Sequence, residues 1–346
     1  AMEDFMNSTD RVRAALQLEQ PDRVPVLEFI IDDTVARALI PDIRDQSDFM
    51  DRMDMDGVGC GASFRVVCEH SDGTYVDEWG VTYRSGGVEA VAHPLRGPVS
   101  SIADARSFTP PDPDAPHRIE KLRDIVARYK GKRAICFHHR AAFMWSAYLT
   151  GLDNLLAALA CEPDFAEYLM DKVLETNMQI VRNAIRAGAE VIVLGDDYAH
   201  NHGPLFSPAM FRRLILPRLA RMVQMIRDEG ALCVKHSDGN IYPLLDMIVS
   251  TGCHGLNPIE PVAGMDLATV KRLVGDRVCL VGNIDCGELL SHGGEEQVEE
   301  AVRQAVADAA AGGGFILSSS NSIHSSVNPG NFAAMLRAAR KHGSYA

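Results

Sequence analysis

Residues 231–240 read Ala231-Leu-Cys-Val-Lys-His-Ser-Asp-Gly-Asn240. The first half is a short apolar run, the pattern of a buried strand. It stops at His236, Ser237 and Asp238, groups that move protons or bind metals, and Gly239 lets the backbone fold back. The same grammar recurs. Apolar runs cover Val24 to Phe29, Gly57 to Cys60, Ala134 to His138, Val191 to Asp196, Gly255 to Ile259, Val278 to Asn283 and Gly314 to Ser318. Amphipathic stretches, such as 163–187, 208–229 and 295–311, lie between them. Pro163 and Pro208 sit where helices should start, and Gly188, Gly230 and Gly252 where they should stop. Strands alternating with helices pair in parallel. Eight of them in this order predict one α/β domain, a (β/α)8 TIM-like barrel over residues 1–346.

The bulk numbers agree. Of 346 residues, 47% are hydrophobic, enough for a large core. A net charge of −13 argues against a nucleic-acid partner, because phosphates need a basic surface. No apolar run nears the roughly 20 residues of a membrane span, and no basic-then-apolar leader precedes the first helix. A cytoplasmic protein with no membrane partner is therefore expected. The eight cysteines are scattered and form no CxxC pair, so most read as small, reduced core residues. Cys286 differs, because polar residues surround it.

One region breaks the rhythm. From about residue 64 to 100 the pattern alternates around Asp72-Gly73, which predicts a β-hairpin inserted after the second strand, as a lid or pocket wall.

In such a barrel the active site lies at the carboxyl ends of the strands. Those ends are polar throughout. They offer Glu28 after the first run, His138 to Arg140 after the third, and Asp196 and Asp197 after the fourth. His236 and Asp238 follow the fifth, Asn257 and Glu260 the sixth, Asn283 and Cys286 the seventh, and Ser318 to Asn321 with His324 the eighth. Any one of these can be an ordinary loop residue. The set concentrates residue types that bind metals or move protons. Adjacent Asp196 and Asp197 should point apart, one toward the pocket and one toward a helix cap or an Arg. His236 and Asp238, two residues apart, share a side if the strand continues. Zn²⁺ would accept them with Cys286, although the spacing is not a strong zinc motif. His324 reads as a catalytic acid or a loop donor. Gly312-Gly313-Gly314 precedes a strand rather than a helix, so it reads as a turn and not a phosphate loop.

Several stretches resemble the uroporphyrinogen decarboxylase superfamily in matching order. They are Asp77-Glu78-Trp79-Gly80, Leu194-Gly195-Asp196-Asp197, His236-Ser237-Asp238-Gly239, Leu256-Asn257-Pro258, Gly282-Asn283-Ile284-Asp285 and Gly312-Gly313-Gly314-Phe315-Ile316. The resemblance runs from about residue 8 to 343 and implies a distorted (β/α)8 barrel. It implies one of two chemistries: cofactor-free decarboxylation of a tetrapyrrole or related acid, or zinc-dependent methyl transfer to or from a corrinoid protein. The decarboxylases carry an Arg-Gln-Ala-Gly-Arg stretch for substrate carboxylates. Here the corresponding residues are Glu28-Phe29-Ile30-Ile31-Asp32-Asp33, which would repel such a substrate.

The methyltransferase branch is the closer likeness. Some zinc-dependent members use a His-x-Cys pair after strand five and a Cys after strand eight. His236 matches directly and Asp238 by position. Serines occupy the last ligand's region, where Cys286 or Glu260 would substitute. The expectation is a demethylating methyltransferase acting on a methoxylated aromatic or methylated amine, with a corrinoid-binding partner. His236, Asp238 and Cys286 would hold zinc. Asp196 or Asp197 would orient substrate or metal, and His324 and Glu28 would transfer protons. Trp79, Tyr198, Asn257, Glu260 and Asn283 would contact substrate. The sequence leaves homodimerisation open.

Overall fold

The structure is a computed structural model describing residues 6–84 and 94–345. Seven parallel strands form one sheet in chain order: β1 (Gly57–Gly61), β2 (Ala134–His139), β3 (Val191–Gly195), β4 (Leu232–His236), β5 (Gly255–Asn257), β6 (Cys279–Ile284) and β7 (Phe315–Ser319). Register is continuous across neighbours: Gly59 faces Cys136, Cys136 faces Val191, Val193 faces Val234, and Val234 faces Gly255. The curled sheet is consistent with a TIM-like barrel.

The expected first strand needs correction. Residues 24–29 form no regular strand and make only a parallel bridge, Val26 to Leu317. Pro25 has no N–H to give, and the Val26 N–H is taken by the Asp56 carboxylate at 2.9 Å. The segment still touches both edges of the sheet. Leu27 N–H donates to Leu317 O, Leu317 N–H to Pro25 O, and Asp56 N–H, just before β1, to Val26 O.

Alternation along the strands sorts the core into two parts. Ala134, Cys136, Val191, Val193, Val234, Cys279, Val281 and Ile316 pack together inside the curl. Their sequence neighbours Ile135, Phe137, Ile192, Leu194, Cys233, Leu280, Phe315 and Leu317 pack outward with the helices. The helix Ser8–Leu16 contributes Val12, Ala15 and Leu16 to the inner cluster. Leu16 lies so close to Gly255, at the amino end of β5, that a Cβ there would meet it at 3.0 Å. This helix therefore plugs the amino end of the strands, and the carboxyl end is left for chemistry. Below the plug, Asp56 is fully engaged by Arg11 at 2.6 Å, Arg23 at 3.0 Å and Ser8 at 2.9 Å.

The helix Pro163–Ala187 starts at a proline and ends at Gly188, with φ of 118°. Pro208 likewise starts a helix, which passes through a π-helical turn at Phe211–Ile215 before Leu216–Asp228. Between β1 and β2 lies a four-stranded antiparallel sheet: Val66–Glu69, Thr74–Asp77, Thr82–Arg84 and Pro94–Arg96. Residues 85–93 of the expected hairpin segment lie outside the described residues. Asp77 closes the turn at 78–81 by accepting from Trp79 N at 2.9 Å and Val81 N at 3.0 Å. Glu78 is ion-paired with Arg118, and His117 Nε2 lies 3.1 Å from its carboxylate. Among the described residues, no helix is long and apolar enough to cross a membrane.

Candidate metal and substrate site

The stretch 231–240 becomes β4 and its exit turn. Alternation points His236 inward with Val234 and leaves Lys235 outside. Gly239 then holds φ of 83°, and a Cβ there would meet Ala199 backbone at 2.6 Å. Only glycine lets the chain pass so close to the loop after β3. Asp238 is thereby folded back beside His236.

Three ligand-type side chains converge there. Among the described residues, Asp197, His236 and Asp238 form the one group of His, Cys, Asp or Glu whose ligand atoms all lie within 4.8 Å. His236 Nε2 is 3.3 Å from Asp238 Oδ1 and 3.7 Å from Asp197 Oδ1. The other ring nitrogen, Nδ1, is 2.5 Å from Asn257 Oδ1. Asn257 Nδ2 donates to Val281 O, which fixes the amide so that its oxygen accepts from Nδ1–H. Nε2 is therefore aimed at the two carboxylates. Asp238 Oδ2 accepts from Asn321 Nδ2 at 2.8 Å, and Asp197 Oδ1 accepts from Asp238 N at 3.1 Å. Asp238 Oδ1 is buried and, although near His236, has no aligned hydrogen-bond donor among the described residues.

Electrostatics point the same way. Burial opposes a charge on His236, but Asp238, Asp197 and the Asn257 bond outweigh it and raise its pKa to about 9. Burial raises Asp197, while for Asp238 the attraction of His236 outweighs burial and lowers it. The site thus concentrates negative charge around one point, where a proton or a cation is stabilised. One imidazole and two carboxylates, one carrying an orphaned buried oxygen, suit Zn²⁺ with a position left open.

The remaining predicted residues divide. Asp196 is fully buried and points away from Asp197. It accepts from the backbone N–H of Ala141, Ala142 and Met144 and anchors the start of the helix Phe143–Thr150. Glu260 accepts from Gly239 N at 2.7 Å, on the rim beside the triad. Asn283 donates to Ile259 O. Cys286 does not join the triad; its buried thiol sits 3.7 Å from Ser320 Oγ. His324 is half-buried after β7. Trp79 is 0% exposed and stacks on Trp145 at 4.7 Å. Tyr198 is 1% exposed, under the Lys235 ammonium at 4.3 Å. Those two rings are interior packing, which corrects their expected place over a substrate.

Glu28 is 5% exposed and held by Ser319 N and Ser319 Oγ, each at 2.7 Å. Burial, only partly offset by these bonds, lifts its pKa to about 7. Ser319 Oγ also faces Asn321 O. One hydroxyl proton cannot serve both oxygens. When Ser319 donates to Asn321, a protonated Glu28 completes the chain, which agrees with its raised pKa.

Asn321 and Ser319 stand among the polar strand ends with no role of their own in the sequence, and Lys235 lies there as one residue of an apolar run. Lys235 Nζ donates to Asp196 O and Leu194 O and ties β3 to β4. The alternation that aims His236 inward is the signal that assigns Lys235 outward. No local pattern gives Asn321 its role, because its partner Asp238 is 83 residues away.

An α/β protein of parallel-barrel type, with a polar site at the carboxyl end of its sheet, is the class that fold and site define. Residues 79–342 match the uroporphyrinogen decarboxylase (URO-D) family, and the chain belongs to it. The uroporphyrinogen decarboxylase of Syntrophotalea carbinolica is 25% identical over 254 residues, spanning 70% of each chain. That of Aeromonas salmonicida is 23% identical over 250 residues, spanning 67% of this chain and 66% of the relative. Among solved structures, a methyltransferase from Methanosarcina mazei superposes with a TM-score of 0.81 at 19% identity. It covers 97% of this chain and 99% of that one.

Proposed function

We propose that the chain is a methyltransferase. It takes a methyl group from a small methylated substrate, a methoxylated aromatic or a methylamine, and passes it to a corrinoid carried by a partner protein. The observation that supports this reading is the Asp197–His236–Asp238 cluster, with His236 Nε2 presented to two carboxylates. The similar proteins include decarboxylases by sequence and a methyltransferase by fold, so the residues must discriminate. A substrate with many carboxylates would meet Asp197, Asp238 and Glu260 at this mouth, and like charges oppose its entry.

Asp197, His236 and Asp238 would hold zinc. When bound there, zinc would supply Lewis acidity that weakens the bond between the methyl carbon and its oxygen or nitrogen. Asn257 sets the His236 tautomer, and Asn321 orients Asp238; such supporting bonds tune ligand basicity. Glu28 holds a proton near neutral pH and is the group best suited to return one to the demethylated oxygen or nitrogen. The plugged amino end of the strands leaves both substrates to enter from the same face.

The test is direct. Zinc-loaded protein is mixed with cob(I)alamin and a panel of methyl ethers and methylamines, and methylation of the corrinoid is followed by its absorbance. Turnover with a panel member, lost in Asp197→Ala and His236→Ala, supports the reading. No methylation, with CO₂ released from uroporphyrinogen instead, replaces it with decarboxylation.

A further inference from the structure

The exit of β2 carries two nitrogens that the fold leaves without partners. Ala134 and Cys136 belong to the inner cluster, so alternation turns His138 inward, at the carboxyl end of the curl. His138 Nε2 is buried and has no hydrogen-bond partner among the described residues; the ring meets the Phe29 ring edge-on, at 5.5 Å. Two residues on, Arg140 Nε is also buried, with no partner among the described residues. Among the described residues, its guanidinium pairs with no carboxylate and lies 5.3 Å above the Tyr148 ring. The intervening residue, His139, points the other way and is satisfied by Asn177 Oδ1 at 3.0 Å. Buried polar atoms are almost always satisfied; Arg140 Nε is a donor in every state and His138 Nε2 is one in its Nε2–H tautomer, so the pair calls for an acceptor from outside the chain.

We propose that His138 and Arg140 form a recognition subsite for a substrate carboxylate. Arg presents a planar fork that matches a carboxylate's two oxygens, and stacking on Tyr148 holds that fork flat. Burial, then the positive charges of His236, Lys121 and Arg140, push His138 down to about 4. The ring stays neutral and offers one N–H without competing for Arg140's role. The strand ends that follow β2 in the sheet, from β3 to β5, carry Asp197, Asp238 and Glu260. The mouth is therefore polarised, with the Arg140 cation at the exit of β2 and acids at the exits of the strands that follow. A substrate bearing a single carboxylate is oriented by this field. Its acid end goes to Arg140 and its opposite end to His236. This deepens the methyl-transfer reading and rests on it for which group reacts, naming a methylated substrate that also carries one carboxylate.

Calorimetric titration of the full chain, without corrinoid, tests the subsite separately from turnover. The probes are 3-methoxybenzoate and its neutral amide, 3-methoxybenzamide, at low salt. Wild type is expected to bind the acid about tenfold more tightly than the amide. Arg140→Gln should abolish that preference by weakening the acid alone, and Arg140→Lys should keep part of it. His138→Asn should weaken the acid less than Arg140→Gln. Zinc content should be the same in every variant that folds, and Arg140→Lys carries the test if Arg140→Gln does not fold. A wild type that binds neither probe, or both equally, overturns the subsite; so does an Arg140 variant that keeps the full preference. Acid preference with no methyl transfer would leave the subsite standing and remove the methyltransferase reading. Methyl transfer from neutral substrates alone would do the reverse.

Discussion

Replacing Glu28 by Gln should reshape the pH dependence of stability. The carboxyl is buried, and its folded pKa is about 7 against a usual 4.5. Below pH 4.5 both folded and unfolded chains carry the proton, and the group makes no difference. Between 4.5 and 7 the unfolded chain loses the proton while the folded chain keeps it, so stability falls as pH rises. Above 7 both are ionised and the loss is complete. The 2.5-unit gap between those values corresponds to about 3 kcal/mol at 1.36 kcal/mol per unit. The amide introduced by Glu28→Gln cannot titrate, and its oxygen can still accept from Ser319 N. Urea unfolding of both proteins at pH 5, 6, 7 and 8 isolates the difference. Relative to the variant, wild type should lose roughly 3 kcal/mol from acid to alkaline pH, nearly all of it below about 7.5. Parallel stability curves would refute the assignment of a raised pKa to Glu28. A difference that grows with pH in the opposite sense would mean that the Ser319 bonds dominate burial.

Four more substitutions probe the same geometry. Asn257→Ala should lower zinc affinity by about 10–100-fold in a competitive chelator titration, because His236 loses the partner that fixes its tautomer. Asp196→Ala should destabilise the fold by about 3 kcal/mol or more in denaturant, since three backbone N–H groups lose their acceptor, while leaving zinc stoichiometry unchanged. Cys286→Ala should retain bound zinc by mass spectrometry, because its thiol faces Ser320 rather than the triad. Trp79→Ala should cost about 3–5 kcal/mol of stability through the cavity it leaves beside Trp145, again without loss of metal.

Much of the architecture was legible because period-two patterning and strand–helix alternation are local signals. They located every strand of the parallel sheet, and the turn role of the three glycines before β7 agrees with their positive φ values. The first run misled because its apolar composition is that of a strand, while Pro25 and the distant Asp56 carboxylate remove its ladder. At the site, the polar strand ends were readable as a set, and the divergence of Asp196 from Asp197 followed from strand geometry. Cys286 was chosen for its chemistry. Whether it reaches His236 depends on the loop after β6, and that loop turns the thiol toward Ser320. Trp79 reads in the sequence as a substrate contact. Its burial depends on Phe64, Phe108 and Trp145, which no spacing rule connects to it.

Asp197, His236 and Asp238 are proposed to hold a metal. Zinc content of the purified protein, after incubation with zinc and removal of the excess, should be measured by mass spectrometry on wild type and His236→Ala. About one zinc per chain is expected in wild type and none in the variant. A wild type that stays metal-free, or a folded variant that keeps its zinc, would contradict it.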